Sequence, residues 1–165
     1  MGKVFLVGAG PGDPGLLTVK ALRILEAAGV VVFDRLVASQ LPALAAHARL
    51  FDGGKRQREP ERVQDQINRL LAQHARAGCV VARLKGGDPM VFARGAEEWE
   101  YLLRHGIEVE VVPRISSALA VPSLAGIPPT MRCIAASFAV LAAHRESLMN
   151  TDWRKSRQST KGGWR

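Results

Sequence analysis

Two apolar runs in this chain end in glycine loops. Val4-Phe5-Leu6-Val7 runs into Gly8-Ala9-Gly10-Pro11-Gly12-Asp13-Pro14, and Val80-Val81-Ala82-Arg83-Leu84 runs into Lys85-Gly86-Gly87-Asp88-Pro89. A short apolar run closed by a turn has the pattern of a buried strand. Glycine at its end lets the backbone bend, and lets N–H and C=O groups face a ligand with no Cβ in the way. Open α/β sheets build their sites at such strand ends. The feature restricts the chain to folds with a ligand cleft along one edge of a sheet.

The remaining pattern agrees. Strands are predicted at about Val4 to Val7, Val30 to Phe33, Leu50-Phe51, Cys79 to Leu84 and Val109 to Val112. Between them, Leu17, Ala21, Leu22, Leu25 and Ala28 share one helix face that ends at Gly29, and Val63, Ile67, Leu70 and Leu71 share another that Gly78 closes. Ser39 is placed to cap a short helix with Pro42 in its first turn, and a helix from about Glu97 to His105 stops at Gly106. Strand and helix in alternation predict successive βα units and a mainly parallel sheet. Beyond Pro113 small residues and prolines take over, with a short helix near Ser116 to Ala125 and a strand near Phe138 to Leu141. This divides the chain into an α/β domain over residues 1–112, the start of a second, incomplete α/β domain over 113–150, and a tail over 151–165.

A dinucleotide is the obvious ligand for a glycine loop after a first strand, and the residues argue against it. That fingerprint needs a third glycine inside the opening helix. Here the position holds Asp13, Pro11 and Pro14 remove two N–H groups, and the helix starts only near Leu17. Asp34 stands where a ribose-binding acid belongs, by placement alone.

Charge and cysteine content narrow the class further. Of the net charge of +8, Thr151 to Arg165 supplies +4, from five basic residues and one acid, so the body is only mildly basic and a nucleic-acid-binding module is disfavoured. The tail lacks apolar periodicity and reads as disordered, with a basic arm as the alternative. Cys79 and Cys133 lie far apart without metal-ligand spacing and read as reduced thiols. No apolar run reaches the ~18 residues of a membrane span, and no signal-peptide pattern opens the chain. The expectation is a cytoplasmic protein without a metal site.

The loop Gly8-Ala9-Gly10-Pro11-Gly12-Asp13-Pro14 occurs in order with Asp34-Arg35-Leu36-Val37, Gly54-Lys55-Arg56, Arg83-Leu84-Lys85-Gly86-Gly87-Asp88-Pro89, Arg94-Gly95, Val111-Val112-Pro113 and Ala125-Gly126-Ile127-Pro128. On these motifs, from about Lys3 to about Arg154, the chain resembles the tetrapyrrole methylase family. The resemblance implies a two-domain α/β enzyme that uses S-adenosylmethionine, works as a homodimer, and adds methyl groups to uroporphyrinogen III to give precorrin-2 for sirohaem or cobalamin synthesis. It implies cofactor contacts from Pro11, Gly86, Gly87, Asp88, Val91, Ser116 and Ser117. Asp34 matches the proton acceptor and Lys55 the proton donor, against the plainer readings of a turn aspartate and a solvated loop lysine. Arg35, Arg94 and Arg132 match positions that face the substrate's carboxylates, with Glu97 placed to hold one of them.

The chain departs from the family at several points. Arg114 follows Val-Val-Pro where the family usually has glycine, so its side chain or its backbone angle bears on the pocket beside Ser116. Thr130-Met131-Arg132 and Ala142-Ala143-His144-Arg145 also depart from the usual motifs, and most of a second domain is missing. A non-catalytic remnant that binds a tetrapyrrole weakly is therefore the alternative to an active enzyme.

Overall fold

The computed structural model describes residues 2–35, 37, 45–53 and 60–141. The chain divides into two compact units, Met1–Ser117 and Ala118–Arg165. In the first, the strands are β1 (Lys3–Gly8), β2 (Val30–Phe33), β3 (Arg49–Asp52), β4 (Val80–Lys85) and β5 (Glu108–Val112). They form one sheet in the order β3-β2-β4-β1-β5, and every pairing is parallel. The helices are α1 (Val19–Ala27), α2 (Pro60–Arg76) and α3 (Gly95–Arg104), followed by α4 (Ser117–Leu124) across the division between units.

Period-two burial explains why these runs pair as they do. Phe5, Val7, Val31, Ala82 and Leu84 point to the face covered by Ala21, Ile24 and Leu25 of α1. Val4, Leu6, Val30, Val32 and Val81 point to the other, covered by Ile67, Leu71 and Ala75 of α2 and Leu102 of α3. Strands buried on both faces are near-continuous hydrophobic runs, as a parallel sheet requires. At the β5 edge Lys3 bonds Glu108 at 2.6 Å and Glu110 at 2.8 Å. These cross-strand pairs reinforce the register that sets Lys3 beside Glu108.

Two sequence expectations change. No strand forms at Phe138 to Leu141; the described part of the second unit holds α4 and a turn in which Met131 and Ala135 exchange N–H···O bonds of 3.0 and 2.8 Å. Phe138, Val140 and Leu141 stay exposed, and among the described residues no strand lies beside them to pair their backbone groups. On α1 it is Ile24, not Leu22, that joins Ala21 and Leu25 in the core. The short helix expected after Ser39 lies outside the described residues. No helix among the described residues is long and apolar enough to cross a membrane.

Candidate functional site

β1 and β4 are neighbours, yet the chain leaves them toward opposite faces of the sheet. α1 follows β1 onto one face and α3 follows β4 onto the other. Such a switch point opens a crevice beyond the strand ends. The two glycine loops meet across it: Gly10 N–H donates to Gly87 O at 3.2 Å and Gly87 N–H to Gly10 O at 3.0 Å. Both glycines have left-handed backbone, with φ of 70° and 66°, where a Cβ is penalised. A Cβ added at Gly12 would meet nothing within 4 Å, and one at Gly87 only Ser117 Oγ at 3.9 Å, so there is space beside both positions on the Cβ side. The first loop stays extended because Asp13 caps a single 3-10 turn, Pro14–Leu16, accepting from Gly15 N–H at 2.8 Å. The α-helix then waits for Thr18, whose Oγ1 accepts from Ala21 N–H at 3.1 Å.

Asp88 ties the second loop to the segment after β5. Its Oδ1 accepts from Met90 N–H at 2.9 Å and its Oδ2 from Arg114 N–H at 2.8 Å. Arg114 then turns its side chain into the first glycine loop. Nε donates to Leu16 O at 2.6 Å and Nη1 to Gly8 O at 3.3 Å. Space for it exists because residues 8 and 10 lack a Cβ, which would fall 2.6 Å from Arg114 Cβ and 3.2 Å from Arg114 Cζ respectively. Among the described residues, positive φ outside glycine is confined to Phe92, Arg94 and Cys133, so Arg114 bears on the site through its side chain and not through its backbone angle. It is 7% exposed, Nη2 is buried without a hydrogen-bond partner, and burial lowers its pKa against the opposing field of Asp13.

Below the crevice lies a buried ion cluster. Arg83 and Lys85 stand two apart on β4 and so share a face, each side chain 2% exposed. Glu98 of α3, fully buried, takes Arg83 Nε at 3.1 Å, Lys85 Nζ at 2.9 Å and Gln64 Nε2 at 3.0 Å, all on Oε1. Arg83 Nη2 reaches on to Asp34 Oδ1 at 2.5 Å. Two cations thus balance two carboxylates, the condition for burying charge. Burial alone would raise the Glu98 pKa, but Arg83 and Lys85 outweigh it and hold it below the usual value. Burial and then Arg83 lower that of Lys85.

Asp34 caps the end of β2 next to β4, with its N–H on Leu84 O at 3.1 Å and its carboxylate only partly exposed. The fold therefore brings Asp34 to the same sheet edge as the loops of Pro11, Gly86, Gly87 and Asp88. Ser116 and Ser117 follow Arg114 there; Arg35 and Val91 are exposed. Arg94 and Glu97 form a forked pair at 2.9 and 2.6 Å, both exposed, with Arg94 held at φ 56° at the start of α3. Arg132 lies in the second unit, and Lys55 lies outside the described residues. Sequence reasoning gave no role to Arg83, Lys85 or Glu98. The available signal was two cations at spacing two inside an apolar strand, which a sheet covered on both faces can hold only against a buried acid.

The family model of the Tetrapyrrole (Corrin/Porphyrin) Methylases matches residues 3–161. The chain belongs to the tetrapyrrole methylases. The chain is 49% identical over 148 residues to the uroporphyrinogen-III C-methyltransferase of Synechocystis, covering 89% of this chain and 56% of that one. It is 50% identical over 144 residues to the enzyme of the same name from Methanocaldococcus jannaschii, covering 87% and 60%. The uroporphyrin-III C-methyltransferase of Thermus thermophilus superposes with a TM-score of 0.74 at 52% identity over 84% of this chain and 59% of that one. A structure of the Thermus enzyme with S-adenosylhomocysteine gives 0.70 at 53% identity, over 83% and 57%. The chain thus spans little more than half the length of these relatives, and its α/β fold with a parallel sheet is theirs.

Proposed function

We propose that this methylase supplies the first-domain half of an S-adenosylmethionine-dependent C-methyltransferase that converts uroporphyrinogen III to precorrin-2. The observation that carries the reading is that the Asp34 carboxylate and the two bridged glycine loops lie along one sheet edge at the switch point. The space left by the missing Cβ atoms at Gly12 and Gly87 fits a cofactor that approaches the main chain closely. Gly86, Gly87 and Val91 line its seat from β4, Pro11 from β1, and Ser116 and Ser117 from the segment after β5. Asp88, with both oxygens engaged, holds the second loop in place.

When bound, the cofactor supplies an electrophilic methyl group. Attack by a pyrrole carbon leaves positive charge on the substrate ring until a proton departs, and Asp34 is the acceptor for that proton. Arg83 fixes its carboxylate in its partly buried place. Lys55 is the corresponding donor. Arg35, Arg94 and Arg132 engage the substrate's carboxylates, and Glu97 orients Arg94. The complete protein works in the cytoplasm as a homodimer. The names of the relatives favour an enzyme over a remnant that only binds.

The test joins this chain to the C-terminal portion of the Methanocaldococcus relative and follows labelled methyl transfer to uroporphyrinogen III in a single turnover. Asp34→Asn keeps the shape but cannot accept the proton, so transfer slows by roughly 10²-fold while S-adenosylhomocysteine binding is unchanged. Undiminished transfer removes Asp34 from the mechanism.

A further inference from the structure

Arg114 is a buried cation that the proposed reaction does not use. Its guanidinium lies over Gly10, within 3.2 to 3.3 Å of where a Cβ would stand, and takes the carbonyls of Gly8 and Leu16 for itself. Gly8 ends β1 and Leu16 closes the 3-10 turn, so the side chain spans the two ends of the first glycine loop, directly beneath Gly10. The side chain therefore occupies the approach that the absence of Cβ atoms created. Its hold is weak for a buried charge. Both of its side-chain bonds go to neutral carbonyls, Nη2 has no partner, and the one bond Arg114 makes to a carboxylate, that of Asp88, comes from its backbone N–H. A guanidinium in that state has given up water without full compensation. A ligand that takes over the seat recovers that cost by releasing the side chain to solvent.

We infer that Arg114 is an internal plug: it occupies the ligand seat on the Gly8–Gly10 loop, and a nucleoside-type ligand enters only by displacing it. The inference rests on the cofactor reading above, since it takes this crevice as the ligand's seat. The side chain competes through occupancy, so its removal strengthens binding without adding any contact.

Labelled S-adenosylhomocysteine is titrated by equilibrium dialysis into the 165-residue chain and into Arg114→Gly and Arg114→Ala, with melting curves to establish that each is folded. Either folded variant binds at least ten-fold more tightly than the parent. Equal or weaker binding overturns the plug and leaves the cofactor reading standing. If the label is retained by neither parent nor folded variant, the cofactor reading falls and the plug with it. Phenylglyoxal labelling read by peptide mass needs neither variant. Arg114 in the parent reacts at least ten-fold more slowly than Arg104, whose side chain is 68% exposed, and saturating S-adenosylhomocysteine speeds it. An Arg114 that reacts as fast as Arg104 without ligand overturns the plug, and if neither variant folds this measurement decides alone.

Discussion

Glu98 accepts three hydrogen bonds on one oxygen while the other is buried without a partner, so the cluster depends on its charge more than on its shape. Glu98→Gln keeps the size but leaves Arg83 and Lys85 with Asp34 as their nearest balancing acid. Breaking a buried pair from one side costs about 3–5 kcal/mol, and urea denaturation at neutral pH reads the loss directly. A loss under ~1 kcal/mol would mean that the cluster is neutralised in some other way. The same residue sets an acid limit. Because the folded-state pKa of Glu98 is held below its ordinary 4.5, its contribution is complete above that value and disappears as pH falls through the lower, folded one. The parent should lose urea resistance on acidification below 4.5, and Glu98→Gln should lose less over the same window. Identical pH profiles would assign the acid sensitivity to other carboxylates.

The loop after β4 is an element whose shape depends on a missing Cβ at the start of α3. The chain from Pro89 to Arg94 folds back so closely that a Cβ at Gly95 would sit 2.0 Å from Pro89 O, a contact with backbone that no rotamer relieves. Phe92 and Arg94 adopt left-handed backbone within that turn, a conformation non-glycine residues take only when their surroundings enforce it. Helix propensity alone says that Gly95→Ala should gain up to ~1 kcal/mol. Packing says the opposite, a loss of about 3 kcal/mol, because the turn must shift. The sign of the change in urea midpoint separates the two. A stabilised Gly95→Ala protein would show that the turn yields freely, and with it the seat of Asp88 and Val91.

At the scale of the molecule, both hydrophobic clusters lie within the first unit, reaching no further along the chain than Val112. The described part of the second unit exposes Leu124, Ile127 and Ile134 at 69, 63 and 78% and adds nothing to either cluster. A chain that ends at Ser117 should therefore still unfold cooperatively, with its melting midpoint shifted by less than ~5 °C. Loss of the cooperative transition would show that residues after Ser117 support the sheet.

The amino-acid sequence by itself determined the strands and helices described in the first unit and the strand ends that carry the glycine loops. Val4 to Val7, Val30 to Phe33 and Val80 to Leu84 are apolar enough that only a sheet covered on both faces buries them, and the glycines that follow mark where the backbone is bare. Those signals are local, carried by residues a few positions apart. The Asp34, Arg83 and Glu98 cluster, the Gly10 and Gly87 bridge and the Arg114 seat were decided by the tertiary structure alone. Each joins residues from separate strands and helices. Arg114 meets Gly8 across 106 positions, and whether its charge lies in water or over a glycine depends on which strands the fold sets side by side. Desolvation and hydrogen-bond geometry act through space, and a strand order of β3-β2-β4-β1-β5 is what supplies that space.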